Sequence, residues 1–153
     1  MKIILEKVKE EEKELFFRLL QYSLFEESKY DGNEMNKEGC FEYKDFDDYL
    51  IDNQKTSYFI KEEESKKLCG FIMIDKNKKY KIVEFMIIPK YRRQQIGKEA
   101  AIKCFNMYKG EWEIEPSLGS KEAYTFWKKV IDEYTNNQNE YKDGRFHFHN
   151  SMI

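Results

Sequence analysis

Apolar residues follow two periods along this chain, and the switches between them mark out its elements. The short run at residues 2–5 reads as an edge strand. Leu15, Phe16, Leu19, Leu20 and Leu24 then recur at helical spacing, behind a polar stretch at 9–13 that faces solvent. From Tyr30 the pattern loosens. Asp31-Gly32-Asn33 and Glu38-Gly39 are turn signals, and Phe46, Tyr49 and Leu50 predict a second, short helix ending near Asp52. Three strands follow at 56–61, 68–75 and 80–88. The second is nearly all apolar, as a strand covered on both faces should be, and the polar loops between them suit antiparallel hairpins.

After Pro89 the period turns helical again. Ile96, Ala100, Cys104 and Tyr108 stand four apart with Ala101 and Phe105 beside them, and Gly110 is expected to close that helix. Residues 112–115 predict a short strand and 116–119 a loop. Ala123, Phe126, Trp127, Val130, Ile131 and Tyr134 mark a further amphipathic helix. In the tail, 141–153, alternation about Phe146 and Phe148 predicts the strand that ends the sheet. This order predicts an α/β (α+β) fold, a mixed, mostly antiparallel twisted sheet flanked by helices, in one domain over 1–153.

Composition narrows the function. Hydrophobic residues at 41% and charged residues at 37% exclude a disordered chain and give it a very polar exterior. No stretch approaches the ~18 apolar residues of a membrane span, and the apolar N-terminal run is too short for a signal peptide, so a cytoplasmic protein is expected. Cys40, Cys69 and Cys104 are odd in number, far apart and without zinc-site spacing, which suits reduced thiols, with Cys69 and Cys104 as small buried hydrophobes. The net charge of −2 hides an asymmetry: residues 1–55 carry nine Lys and Arg against fifteen Asp and Glu, and the rest carry eighteen against fourteen. A basic second half suits an anionic cofactor and an acidic first half a cationic acceptor, although two solvated surfaces would look the same. With a pI near 5.9 and no basic patch, the 16% aromatic residues suit core packing rather than nucleic-acid stacking. His147 and His149 share one face of the last strand, and two ligands alone do not make a metal site.

The segment with most chemistry runs from Glu84 to Lys98, where a strand enters a basic turn that opens a helix. Unpaired amides and the positive dipole end at a helix start hold phosphate without particular side chains. Arg92, Arg93 and Lys98 add charge there, and Gly97 leaves room for close backbone approach. A basic helix start with no ligand would read the same way.

Ile87-Ile88-Pro89-Lys90-Tyr91-Arg92-Arg93-Gln94-Gln95-Ile96-Gly97 resembles the acetyl-CoA signature of the GNAT superfamily of N-acetyltransferases, Val-x-Pro-x-Tyr-Arg-x-x-Gly-Ile-Gly, with Gln95 in place of its first glycine. Downstream, Ser120-x-x-Ala123-x-x-Phe126-Trp127 is similar to the family's Asn-x-x-Ala-x-x-Phe-Tyr. Ser120 can cap a helix as asparagine would. Trp127 stands where many members carry a tyrosine that protonates the departing thiolate, which an indole N–H cannot do.

The resemblance implies acetyl-CoA as co-substrate and direct acetyl transfer to an amine of a small molecule or a protein, by a monomer or homodimer. It implies that residues 92–98, Arg92, Arg93, Gln94, Gln95, Ile96, Gly97 and Lys98, grip the pyrophosphate. The amides of Phe85, Met86, Ile87 and Ile88 would pair with the pantetheine arm and polarise the thioester, and Ser120 and Trp127 would flank the cofactor. A carboxylate base is needed. Glu84 is the first choice, with Glu113 and Glu115 as alternatives on the next strand; Tyr124, one turn before Trp127, is the nearest phenol for an acid and equally suits packing. Gln95 and Trp127 keep open a non-catalytic CoA-binding or regulatory domain on the same fold, and a protein-interaction module that binds no CoA is a third reading.

Overall fold

A computed structural model of the chain describes residues 2–151. Strands β1 (Ile3–Lys7), β2 (Lys55–Glu62), β3 (Leu68–Asp75), β4 (Tyr80–Ile87), β5 (Glu111–Ile114), β6 (Glu140–Lys142) and β7 (Arg145–His149) form one sheet in the order β1-β2-β3-β4-β5-β7-β6. The neighbours β4 and β5 are parallel and the other pairs antiparallel. A parallel pair needs a crossover, supplied by α3 (Ile96–Met107). Central β3 buries every residue from Cys69 to Ile74, as its unbroken apolar run requires.

Alternation along the strands splits the core in two. Ile72, Ile74 and Ile87 face α3 and α4 (Lys121–Thr135), while Phe71, Met73 and Met86 face α1 (Lys13–Asp31) and α2 (Asp48–Ile51). On α1 the buried positions are Phe16, Leu19, Leu20, Ser23 and Leu24, a stripe of helical period. It stops at Gly32, whose left-handed φ of 74° lets its N–H reach the Ser28 carbonyl at 3.0 Å. On α4 the Ser120 hydroxyl accepts the Ala123 N–H at 3.1 Å, the N-cap expected of it.

Two boundaries differ from the sequence reading. Gly110 does not close α3, which ends with Tyr108 in extended backbone. Its carbonyls are met from far along the chain: fully buried Asn150 donates Nδ2–H to the Phe105 carbonyl at 2.9 Å, and its Oδ1 accepts the Gly110 N–H at 2.8 Å. The tail is also more than one strand. Asp143 and Gly144, at φ 54° and 78°, turn β6 back onto β7, so β7 lies inside the sheet and β6 is its edge. The last two residues of the predicted tail, Met152 and Ile153, lie outside the described residues.

Candidate active site

The site begins with a break in pairing. β4 pairs with β5 only across Tyr80–Trp112, Lys81–Glu113 and Ile82–Ile114, after which the strands part while β4 runs on beside β3. At the parting point β4 carries a bulge: Ile82 opposes Ile74 but Glu84 opposes Met73, so Val83 is extra. A bulge re-aims the following side chains. Ile82 packs toward α3 and α4, whereas Glu84 faces α1 and the loop before α2. Plain alternation would have put both on one face.

Beyond the bulge, the Ile88 N–H bonds the Cys69 carbonyl at 2.7 Å, and antiparallel alternation commits Met86 to β3 as well. The N–H groups of Phe85 and Ile87 therefore point into the gap left by β5. The set of four amides expected to meet a pantetheine arm narrows to these two.

A cleft of about 570 Å³ fills the gap, walled by Phe85, Met86 and Ile87 of β4, by Ala123, Phe126 and Trp127 of α4, and by the start of α3. Trp127 is buried, edge-on to Phe85 at 5.1 Å and to Phe126 at 4.9 Å, and forms part of the apolar wall. Ser120 lines the cleft beside them.

The helix mouth opens on this cleft through Arg93, Gln95, Gly97 and Lys98. The amide of Glu99 bonds the Gln95 carbonyl at 3.0 Å, leaving those of Ile96, Gly97 and Lys98 without intrahelical partners. Gln95 adopts φ 66°, the left-handed conformation that its glycine counterpart takes without strain. Gly97 is needed for a different reason from the one expected: a Cβ there would lie 3.1 Å from the Phe126 ring, so its bareness lets α4 close against α3.

The basic residues separate by partner. Arg92 donates Nε–H to the Ile87 carbonyl at 2.7 Å and pairs with Glu26 of α1 at 3.2 Å, so it clasps β4 to α1 at the rim. Lys98 pairs with Glu133 while still lining the cleft. Arg93 has neither an ion pair nor a hydrogen-bond partner for its side chain among the described residues, and is the free cation of the expected set. Three expected residues lie outside the wall: Ile88 packs against the α1 core, Ile96 is buried under α3, and Gln94 folds back to the Lys90 carbonyl at 3.2 Å.

Two smaller clefts adjoin the first. One, of about 300 Å³, lies between β4, β5 and the loop after β5, with Glu84, Glu113, Glu115 and Arg145 on its walls. The other, of about 460 Å³, is enclosed by α1 and the loop that follows it, with Glu84, Asp31, Glu34, Glu42 and Tyr43. Glu27 of α1 is common to all three clefts.

The three candidate carboxylates differ in their company. Glu113 is held by Lys81 at 3.4 Å and faces His147 at 3.6 Å, and Glu115 accepts from Arg145 at 3.3 Å. Among the described residues Glu84 has no cation partner. Its Oε2 accepts the Tyr43 O–H at 3.5 Å, and its buried Oε1 has no hydrogen-bond partner there. Burial first, then the charge of Glu27, pushes the Glu84 carboxyl well above the ordinary carboxylate range. Burial likewise raises Glu27.

Tyr124 lies outside all three clefts, packed on Phe146 at 5.6 Å and Tyr141 at 5.1 Å, an arrangement that suits the packing alternative. The phenol that does line the main cleft, among the described residues, is Tyr30. His149 contacts Ser151, and among the described residues no group of three or more His, Cys, Asp or Glu could hold a metal ion. Glu27, Tyr30 and Tyr43 were not singled out by the sequence. Glu27 carried a faint signal, a second carboxylate directly after Glu26 on the buried side of an otherwise polar helix end.

No curated protein matches the sequence. Among solved structures, the fold matches an acetyltransferase of Thermus thermophilus (TM-score 0.65, 11% identity, 96% of this chain and 94% of that one). It also matches the spermidine N-acetyltransferase of Vibrio cholerae in complex with CoA and spermine (0.61, 10%, 97% and 96%) and the E. coli protein YhhK bound to coenzyme A (0.62, 10%, 97% and 99%). The family model described as the acetyltransferase (GNAT) family matches residues 16–130. With that match spanning most of the chain, and with a parted β4–β5 pair beside an open helix mouth, this protein belongs to the GNAT family of acetyltransferases.

Proposed function

We propose that the chain transfers an acetyl group from acetyl-CoA directly to a cationic amine, with Glu84 on the path of the amine's proton. The observation that carries this reading is the junction at the β4 bulge. There, the edge of β4 that offers the Phe85 and Ile87 amides to a thioester lies one residue from a buried carboxyl with no cation of its own. The diphosphate would sit on the amides of residues 96–98 with Arg93 beside it. The acyl arm would run along β4 toward the bulge, and the free amide of Phe85 or Ile87 would hold the developing oxyanion.

The acceptor would enter through the two acidic clefts. Asp31, Glu34 and Glu42 line one of them with no Lys or Arg on its wall, which favours an amine that carries further positive charge. The Vibrio protein of the same fold is a spermidine N-acetyltransferase, and polyamines head the set of acceptors to try. A proton for the departing thiolate would come from Tyr30 rather than from the α4 position occupied by Trp127. We place the whole chain in one catalytic domain of the cytoplasm, where its buried Cys69 and Cys104 stay reduced.

Thiol release from acetyl-CoA, measured across polyamines, aminoglycosides and lysine peptides, tests the reading. Turnover should appear with at least one cationic amine, and Glu84→Gln should lower kcat by about 10²–10⁴-fold. CoA binding with no turnover on any amine would support the alternative, a CoA-binding regulatory domain, which Trp127 in the family's phenol position favours.

A further inference from the structure

We propose that Glu27 is a positioning residue for the transfer: its carboxyl shares one proton with Glu84 across the junction of the clefts, fixing Glu84 in place and making the two acids one proton-accepting unit. This rests on the reading of Glu84 given above. The geometry favours a shared proton. Glu84 Oε1 is buried without a hydrogen-bond partner among the described residues, and Tyr43 already occupies Oε2. The carboxyl that Glu84 meets is Glu27, itself braced by the Ser23 hydroxyl one turn earlier on α1. One proton between them satisfies the orphan oxygen and removes one of two like charges from a half-buried site.

The surroundings leave this pair without a counterion. From α1, Asp31 faces both acids and adds repulsion, and Glu26, paired with Arg92 at the rim, adds a smaller repulsion on Glu27. From the loop after α1 and from α2 come phenols, Tyr43 and Tyr49, each raised first by burial, with the charge of Glu84 adding to it. Across the 300 Å³ cleft the cations are engaged, Lys81 by Glu113 and Arg145 by Glu115.

Glu27 also connects spaces that Glu84 does not, since it lines the main cleft as well as the two smaller ones. With one negative charge and one proton, the unit takes a second proton from the acceptor ammonium. The freed nitrogen attacks the thioester carbonyl, and the C–N bond forms as the C–S bond breaks. The nitrogen's next proton accounts for the conversion of thiolate to thiol. The unit then returns its extra proton to water on the side where Glu27 opens to the clefts, so each turnover releases one proton.

The test reads the pair without needing a substrate. Side-chain carboxyl carbons of uniformly 13C-glutamate-labelled protein are titrated by NMR in wild type, Glu84→Gln, Glu27→Gln and Glu27→Asp, with thermal melting as a check of folding. In wild type Glu27 and Glu84 should each respond to both of two titration steps. In Glu27→Gln the Glu84 step should move to lower pH by about 1 unit or more, and Glu27→Asp, too short to reach, should likewise uncouple the two. With the best acceptor of the amine panel, the acid limb of kcat/KM should move in the same direction in Glu27→Gln. A Glu84 titration identical in wild type and folded Glu27→Gln overturns the proposal. Coupled titration together with full kcat in Glu84→Gln would overturn instead the placement of the acetyl transfer on this pair.

Discussion

A carboxyl held protonated by burial affects stability in a direction that can be worked out for Glu84. Its folded-state pKa lies above the unfolded value, so between the two the native state binds more protons than the unfolded one, and stability falls as pH rises. The contribution is fully present below the ordinary carboxylate pKa of about 4.3 and is lost as pH passes the raised folded value. Melting temperature should therefore decline from mildly acid to alkaline pH, and Glu84→Gln should flatten that decline and melt higher at alkaline pH; a variant that melts lower there would contradict the burial argument. Gln95 offers a second case. A non-glycine residue at φ 66° costs about 1–2 kcal/mol, partly offset by the extra freedom glycine gives the unfolded chain. If backbone amides hold the diphosphate, Gln95→Gly should leave CoA affinity equal or tighter, by calorimetry, with stability unchanged or raised by up to about 1 kcal/mol. A tenfold loss of affinity would show that the amide side chain is itself a ligand. At this scale Glu84 could be picked out from sequence because an acid in an apolar strand is conspicuous. Glu27 could not, because its contact is made across 57 positions and depends on a bulge that alternation conceals.

Two elements depend on single small or polar residues. At Gly70 an added Cβ would fall 2.0 Å from the Met86 carbonyl oxygen and 3.1 Å from the Ile87 Cα, so β3 and β4 could not keep their register. Gly70→Ala should cost about 3 kcal/mol or more, seen as a lower urea midpoint. Because the displaced segment carries the Phe85 and Ile87 amides, KM for acetyl-CoA should rise with it. Asn150 joins the end of α3 to the end of β7 with its side chain fully buried. Asn150→Ala leaves the Gly110 N–H without its partner and takes one of two donors from the Phe105 carbonyl, and should destabilise by about 1–3 kcal/mol, while the active-site clefts, lined by other residues, keep their kcat. The strands and long helices were visible in the sequence because the apolar period is a local signal. The end of α3 was not, since its cap arrives from residue 150, and Gly110 serves instead to make room for the Tyr80 ring, 3.1 Å from where a Cβ would stand. The β6–β7 hairpin was not read from the sequence, because β6 is exposed along its length and offers no apolar alternation to mark it.

At the scale of the whole molecule, the acidic first half and basic second half of the chain meet at one place. α1 and the loop after it bring Glu27, Asp31, Glu34 and Glu42 to the proposed acceptor side, while the turn before α3, α3 itself and α4 bring Arg93, Lys98 and Lys129 to the proposed cofactor side. The charge bias was legible from the sequence, but the sorting of the two signs onto opposite sides of one sheet edge required the fold. On the proposed reading, a polyanionic CoA and a cationic acceptor would each be drawn to the wall of opposite sign, and each wall is open enough for salt to screen it. The buried Glu84–Glu27 pair, the proposed route of the proton, is screened far less. Raising salt from about 0.05 to about 0.5 M shortens the screening length from more than 10 Å to less than 8 Å, and KM for both substrates should rise severalfold while kcat changes little. Arg93→Glu should reproduce the effect for acetyl-CoA alone, leaving the salt response of the acceptor unchanged. A kcat that falls with salt at constant KM would mean that the two walls do not steer the substrates, and that the charge asymmetry belongs to the surface rather than to the reaction.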